Sequence, residues 1–239
     1  MRILAIGDIH GCLRAFDGVL AAAGHSSDDW LVTLGDYVDR GPNTRGVLDR
    51  VIELRGNGRL IALRGNHEEM MLDAREDLGL LSTWLQYGGQ ETLDSYAPAD
   101  RPASFEDLPA EHWNFLEHQC VDWFESEKHF FVHANADPRL HLPDQDGMML
   151  RWAKFVDPPP HRSGKIMICG HTCQESGWPK NLGHAVCIDT CVYDTGWLTC
   201  LDVATGHFWQ ANEEGQSREG ELADHLEKPQ QPGELFRRR

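Results

Sequence analysis

Three stretches decide the fold of this chain: RILAIGDIHG (residues 2–11), LVTLGDYVDRG (31–41) and RLIALRGNHE (59–68). Each opens with a short apolar run, the right length for a buried strand, and each run gives way to glycine and polar residues. A helical pattern follows each one. Residues 13–23 (LRAFDGVLAAA) carry helical periodicity that Gly24 stops, a second helix is predicted near 44–55, and a third from about 67. Strand-loop-helix units in succession predict a largely parallel sheet covered by helices, because parallel neighbours need a crossover connection. The carboxyl ends of such strands open onto one crevice, where the three polar loops would converge.

Beyond this, residues 73–119 read as mainly helical, broken at Gly88 Gly89 and between Pro98 and Pro102, and predict a cap-like insertion. Strand signals return at HFFVH (129–133), KIMIC (165–169), AVCID (185–189) and WLTCLDV (197–203), with FWQA after a Thr205 Gly206 turn. Their close spacing predicts antiparallel pairing. Residues 1–212 thus form one domain, and residues 213–239, without apolar periodicity and ending in three arginines, form a polar, flexible tail.

Composition narrows the function. The 239 residues are 41% hydrophobic and 25% charged, which describes a soluble globular protein, and no apolar run reaches the length of a membrane span. The first residues run from a brief apolar strand straight into Gly7 Asp8, with no signal-peptide pattern, so a cytoplasmic location is expected. A formal charge of −16 argues against nucleic acid as a partner, since phosphate backbones call for clustered Lys and Arg. The seven cysteines are expected to be reduced. Cys169 and Cys173, like Cys187 and Cys191, have a spacing that could hold zinc, although strand alternation accounts for Cys169 and Cys187 as small buried residues.

The chemistry-bearing residues sit just after the strands: Asp8 and His10, then Asp36, Asp39 and Arg40, then Asn66, His67 and Glu68. A lone Asp-x-His can simply cap a helix. Three such loops in succession point instead to a pocket of carboxylate, imidazole and amide oxygen, a donor set that suits Mn²⁺, Fe or Zn²⁺ better than Ca²⁺. Two ions sharing a carboxylate would lie roughly 3.5 to 4 Å apart.

GDIHG (7–11), GDYVDRG (35–41) and RGNHE (64–68) resemble the three signature blocks of the PPP family of metallophosphatases, part of the calcineurin-like superfamily. The likeness covers most of residues 1–205, including WLQYGGQETLDSY (84–96), FVHAN (131–135), CGHT (169–172) and CIDTC (187–191), and is nearest to the bacterial and bacteriophage branch. It implies an α/β fold, a β-sandwich flanked by helices, with a dinuclear metal site at the carboxyl ends of the strands. Carried over by residue, it makes Asp8 and His10 ligands of the first ion, Asp36 the bridge, and Asn66, His133 and His171 ligands of the second, with His184 a rival to His171. It further implies two divalent ions, Mn²⁺ first, and a bridging water that attacks phosphorus directly. Arg40 would clamp the phosphoryl oxygens, and His67, oriented by Asp39, would protonate the leaving group.

Departures from the family stand out. Where a second phosphate-binding Arg follows a Trp, this chain reads Leu150 Arg151 Trp152 Ala153 Lys154, so either Lys154 or Arg151 takes that place. Cys173 stands where Pro is frequent, and Cys191 where Gly usually follows IDT. Trp84, Tyr87, Trp113 and Trp123 are expected to fill the insertion rather than bind a base. The resemblance implies a protein phosphatase acting on phosphoserine and phosphothreonine, with phosphotyrosine and small phosphoesters as further substrates. The alternative is a symmetrical hydrolase of diadenosine tetraphosphate. Oligomeric state is left open.

Overall fold

The alternation of β1 (Ile3–Ile6) divides the molecule into layers: Ile3 and Ala5 point into one apolar cluster, Leu4 and Ile6 into another. The computed structural model describes residues 2–194 and 196–227. After β1 come α1 (Leu13–Ala22), β2 (Trp30–Thr33), α2 (Thr44–Asn57), β3 (Arg59–Ala62) and α3 (Asn66–Glu76). β1 pairs in parallel with β2, and β2 with β3. A helical excursion follows, α4 (Leu81–Trp84), a π-helical turn (Leu85–Gly89), α5 (Gln90–Ser95) and α6 (Ala110–His118). Then come β4 (Trp123–Glu125), β5 (His129–Val132), α7 (Gly147–Trp152), β6 (Ile166–Cys169), β7 (Lys180–Asn181), β8 (Ala185–Cys187), β9 (Leu198–Asp202), β10 (His207–Ala211) and β11 (Ser217–Glu221).

The strands form two sheets, one in the order β11-β10-β9-β1-β2-β3 and the other β4-β5-β6-β8-β7. They pack face to face through Ile3, Ala5, Val32, Leu34 and Leu63 on one side and Phe131, Ile168, Val186 and Ile188 on the other. The opposite face of the first sheet carries α1, α2 and α6, with Phe16, Val47 and Phe115 buried among them. The outer face of the second sheet is covered by α7 and its loops, which bury Phe130, Val132, Met167 and Leu150. This is the helix-flanked β-sandwich that the sequence resemblance implies.

Three expectations change. Of the later strands, β9, β10 and β11 pair antiparallel, but β5, β6 and β8 run parallel. The long connection between β5 and β6, which includes α7, supplies the crossover that parallel pairing requires. The polar stretch after Asn212 contains β11, which aligns five residues with β10. Its backbone supplies the pairing and its side chains enter no apolar core, so alternation could not reveal it. The rest of the expected tail, residues 228–239, lies outside the described residues. Third, the insertion joins the helical layer over the first sheet: Trp84, Tyr96, Trp113 and Phe115 share one core with α1 and α2. Trp123 lies on β4 rather than in the insertion, and Tyr87 is exposed.

No described helix is long and apolar enough to cross a membrane. Phe131, fully buried between the sheets and stacked on Phe124 at 5.8 Å, tests the sandwich core. Phe131→Ala should lower unfolding free energy by about 3 to 5 kcal/mol in urea titration. A loss under about 1 kcal/mol would show that the sheets do not close at this position.

Candidate metal centre

Every polar residue singled out after an apolar run falls at the carboxyl end of a strand: Asp8 and His10 after β1, Asp36 after β2, Asn66 and His67 after β3, His133 after β5, His171 after β6. The parallel direction of β1, β2 and β3 in one sheet and of β5 and β6 in the other, with face-to-face packing, brings these ends to one place. Ligand atoms of Asp8, Asp36 and His133 lie within 4.8 Å of one another, as do those of His10, Asp36 and His67. Asp36 belongs to both groups, with Oδ2 at 3.4 Å from His10 Nε2 and Oδ1 at 3.5 Å from His133 Nε2.

Hydrogen bonds set the tautomers. His10 Nδ1 lies 3.0 Å from the Val38 carbonyl, His133 Nδ1 2.8 Å from that of Leu34, and His171 Nε2 3.0 Å from that of Trp152. A carbonyl only accepts, so each ring donates there and turns the lone pair of its other nitrogen inward. His133 Nε2 and His171 Nδ1 both face Asn66 Oδ1, at 3.0 and 2.8 Å. Extra protons do not relieve this convergence of acceptors. Burial lowers the pKa of His133, and burial with the neighbouring His133 takes His171 down to about 3. Asp8 Oδ1 is buried with no hydrogen-bond partner among the described residues. Neutral imidazoles, carboxylates and an amide oxygen aimed at one point are what a divalent cation satisfies. The residues present therefore fit a divalent-cation centre, with Asp36 common to both groups of converging ligand atoms.

The loops are held tightly. Glu68, fully buried in the first turn of α3, accepts backbone N–H groups from Asp36 (2.8 Å), Tyr37 (2.7 Å), Val38 (3.3 Å) and Gly65 (2.8 Å). Burial and the Asp36 charge push its pKa up to about 7, and those donors oppose the rise. Of the seven non-glycine residues with positive φ among those described, six lie here: His10, Asp36, Asp39, Arg40, His171 and Cys191. Backbone strain of this kind persists only where surrounding contacts over-determine it, and it gathers at functional sites. A side chain at Gly170 would collide with Asp8 Oδ1, which explains glycine before His171.

Asp39 and Arg40 do not pair. Asp39 Oδ2 is 2.7 Å from His67 Nδ1, and its carboxylate also accepts from Trp84 Nε1 (3.0 Å) and Thr92 Oγ1 (2.9 Å). His67 thus donates through Nδ1 and keeps Nε2 for the pocket. Burial depresses its pKa, but Asp36 and the Asp39 bond outweigh burial and leave it raised. Arg40 NH1 reaches to 3.1 Å from His10 Nε2, and no described carboxylate pairs with it. Its backbone N–H donates to Gly88, where a Cβ would lie 2.6 Å from Arg40 N. Arg151 is committed to Glu69 and Asp122, both at 2.8 Å. Lys154 is exposed, has no ion-pair partner among the described residues, and its charge bears on His171 and Asp189. His184 turns away to the Pro158 carbonyl at 2.7 Å.

Several residues went unassigned in the sequence. Glu68 stood within a quoted block, and its place three residues after Gly65 was the available signal. Trp84 and Thr92 reach Asp39 only through folding, and Asp189, buried with a pKa raised to about 6 by burial first, gave none. The thiol expectation also changes: Cys173 and Cys191 form a disulfide, while the five remaining cysteines are free. Folding sets the β6 and β8 loops side by side, which spacing along the chain could not show.

Residues 1–175 match the Calcineurin-like phosphoesterase family. Serine/threonine-protein phosphatase 1 of Salmonella typhimurium is 39% identical over 159 residues, 65% of each chain. The symmetrical bis(5'-nucleosyl)-tetraphosphatase of Acidovorax ebreus is 45% identical over 75 residues, 31% of this chain and 26% of that one. The chain thus spans less than two thirds of the length of these relatives. A crystal structure described as a putative diadenosine tetraphosphatase shares the fold at a TM-score of 0.64 and 18% identity, over 92% of this chain and 93% of that one. With the family matched over most of its length and the strand-end cluster in place, the chain belongs to the calcineurin-like phosphoesterases.

Proposed function

We propose that the chain is a metal-dependent phosphomonoesterase acting on phosphoserine and phosphothreonine in proteins, with Mn²⁺ as its preferred ion. The observation that carries the substrate reading is Trp84, which is 1% exposed with its indole N–H tied to Asp39. It cannot stack on a nucleobase, which leaves the exposed Tyr87 as the aromatic side chain of the π-helical turn open to a ligand. Arg40 and Lys154 are the cations near the cluster without a described carboxylate partner, enough for one phosphoryl group and few for a long polyanion.

Two divalent ions, when bound, would supply positive charge to the phosphoryl oxygens and lower the pKa of an attacking water. The chain does the rest. Arg40 presents a planar fork to two phosphoryl oxygens, and Lys154 adds a point charge from the α7 side. His67 gives its Nε2 proton to the leaving oxygen as the ester bond breaks, while Asp39 holds the ring in that tautomer and stabilises its protonated form. Trp84 and Thr92 hold Asp39. Arg151 anchors α7 to α3 through Glu69 and does not reach substrate.

A second reading, hydrolysis of dinucleoside polyphosphates, draws on a cleft of about 530 Å³ lined by Tyr193, Trp197 and Arg218. The Arg218 guanidinium stacks 3.6 Å from the Trp178 ring and 4.2 Å from that of Trp197, and Tyr193 touches Arg40. A nucleoside could enter there.

Chelation should abolish activity and Mn²⁺ restore it; full activity in protein shown by elemental analysis to be metal-free contradicts the mechanism. His67→Asn should lower kcat by about 10² to 10⁴ with an alkyl phosphate, and less with p-nitrophenyl phosphate, at unchanged metal content. Equal losses on both substrates would remove His67 from the role of acid. Side-by-side kinetics decide the substrate. We expect kcat/KM for a phosphopeptide to exceed that for diadenosine tetraphosphate, and symmetrical cleavage of the dinucleotide at a tenfold higher kcat/KM, about 1.4 kcal/mol in favour, would establish the second reading.

A further inference from the structure

The disulfide joins two loops of the candidate site. Cys173 lies two residues after His171 on the β6 loop, and Cys191 lies two residues after Asp189 on the β8 loop, with Cα atoms 5.2 Å apart. The second loop carries Tyr193 across the cluster. The Arg40 guanidinium carbon sits 4.3 Å from the Tyr193 ring centre, and the His10 and Tyr193 rings meet edge to face with centres 5.0 Å apart. Arg40 has no described carboxylate to hold its side chain, so its direction depends on Tyr193 and on the 3.1 Å contact with His10. Tyr193 in turn depends on a loop whose Cys191 is held at φ +61°, a left-handed conformation that a cysteine rarely adopts.

We propose that the Cys173–Cys191 disulfide is a positioning element for the phosphate clamp, holding Tyr193 against Arg40, and that its reduction loosens the grip on phosphate. The inference rests on the reading of Arg40 as that clamp. Both cysteines line the 530 Å³ cleft, which opens to solvent and admits a small dithiol. One thiolate of the dithiol attacks a cystine sulfur, the S–S bond breaks, and the departing sulfur takes a proton. The second thiolate then closes the reductant's own disulfide and releases the other cysteine as a thiol. Two electrons and two protons pass to the protein. The five other cysteines are already thiols, so a reductant has only this pair to reduce.

The test uses the Mn²⁺-loaded protein, oxidised or reduced with dithiothreitol that is removed before assay, with inorganic phosphate as the probe. Reduction should raise the inhibition constant for phosphate and the KM for p-nitrophenyl phosphate about tenfold, the scale of a small misplacement of a positioning group, while kcat and metal content hold. Cys191→Gly, which suits the backbone without the cross-link, and Cys173→Ser should show the same rise with no response to reductant. Tyr193→Ala should match them, and Tyr193→Phe should stay near the parent. A thiol titration of the unfolded, non-reduced protein that finds all seven cysteines free removes the proposal. So does a reduced enzyme whose melting temperature falls while its phosphate inhibition constant stays put, because the bond is then a staple only. Arg40→Ala separates the layers: if it leaves phosphate inhibition unchanged, the clamp reading itself fails, and if it weakens inhibition while reduction does not, only the role of the disulfide fails.

Discussion

The carboxylate of Asp36 is the point on which the site turns. It leaves the end of β2, in the middle of the first sheet's parallel part, and faces His10 with one oxygen and His133, from the second sheet, with the other. Burial opposes its ionised form, yet its pKa is held down, helped by the His67 backbone N–H at 3.1 Å and by the raised His67 ring. Asp8, close by and without a neutralising partner, is driven the other way by burial and by the charges of Asp189 and Asp36. A protein pocket does not gather two carboxylates, three inward lone pairs and an amide oxygen without a counter-charge, since an uncompensated buried charge costs several kcal/mol. The sandwich brings these groups together, and a bound cation would make their proximity favourable.

Rigidity around that point comes from a second carboxylate with a different task. Glu68 gathers the backbone N–H groups of the Asp36–Val38 turn and of Gly65, so the β2 and β3 loops behave as one unit. These bonds hold the turn that carries the left-handed backbone at Asp36, while the Asp39 N–H donates to Thr92 and the Arg40 N–H to Gly88. The insertion supplies the remaining support. Trp84 and Thr92 fasten Asp39, and Gly88 receives the Arg40 N–H, so the helices between β3 and β4 act as a buttress beneath His67 and Arg40.

The first three strands and their helices were legible because apolar runs, glycine breaks and helical periodicity are local signals. The convergence of polar residues was legible in the same way, since one short block carries each group of carboxylates and imidazoles. The parallel pairing of β5, β6 and β8 was not, because strand direction depends on how a long connection crosses the sheet. β11 was hidden by a polar sequence held through its backbone and through Arg218, which stacks on Trp178 and Trp197.

By itself, then, the sequence determined which residue types stand at each strand end: Asp8, His10, Asp36, Asn66, His67, His133 and His171, with Arg40 beside them. Those are properties of short segments. Only the tertiary structure decided which nitrogen of each histidine faces inward, that Arg151 is spent on Glu69 and Asp122 while Lys154 has no ion-pair partner among the described residues, and that Cys173 meets Cys191. Each of those outcomes depends on a partner far along the chain, and a contact between distant residues exists only once the sheets have packed.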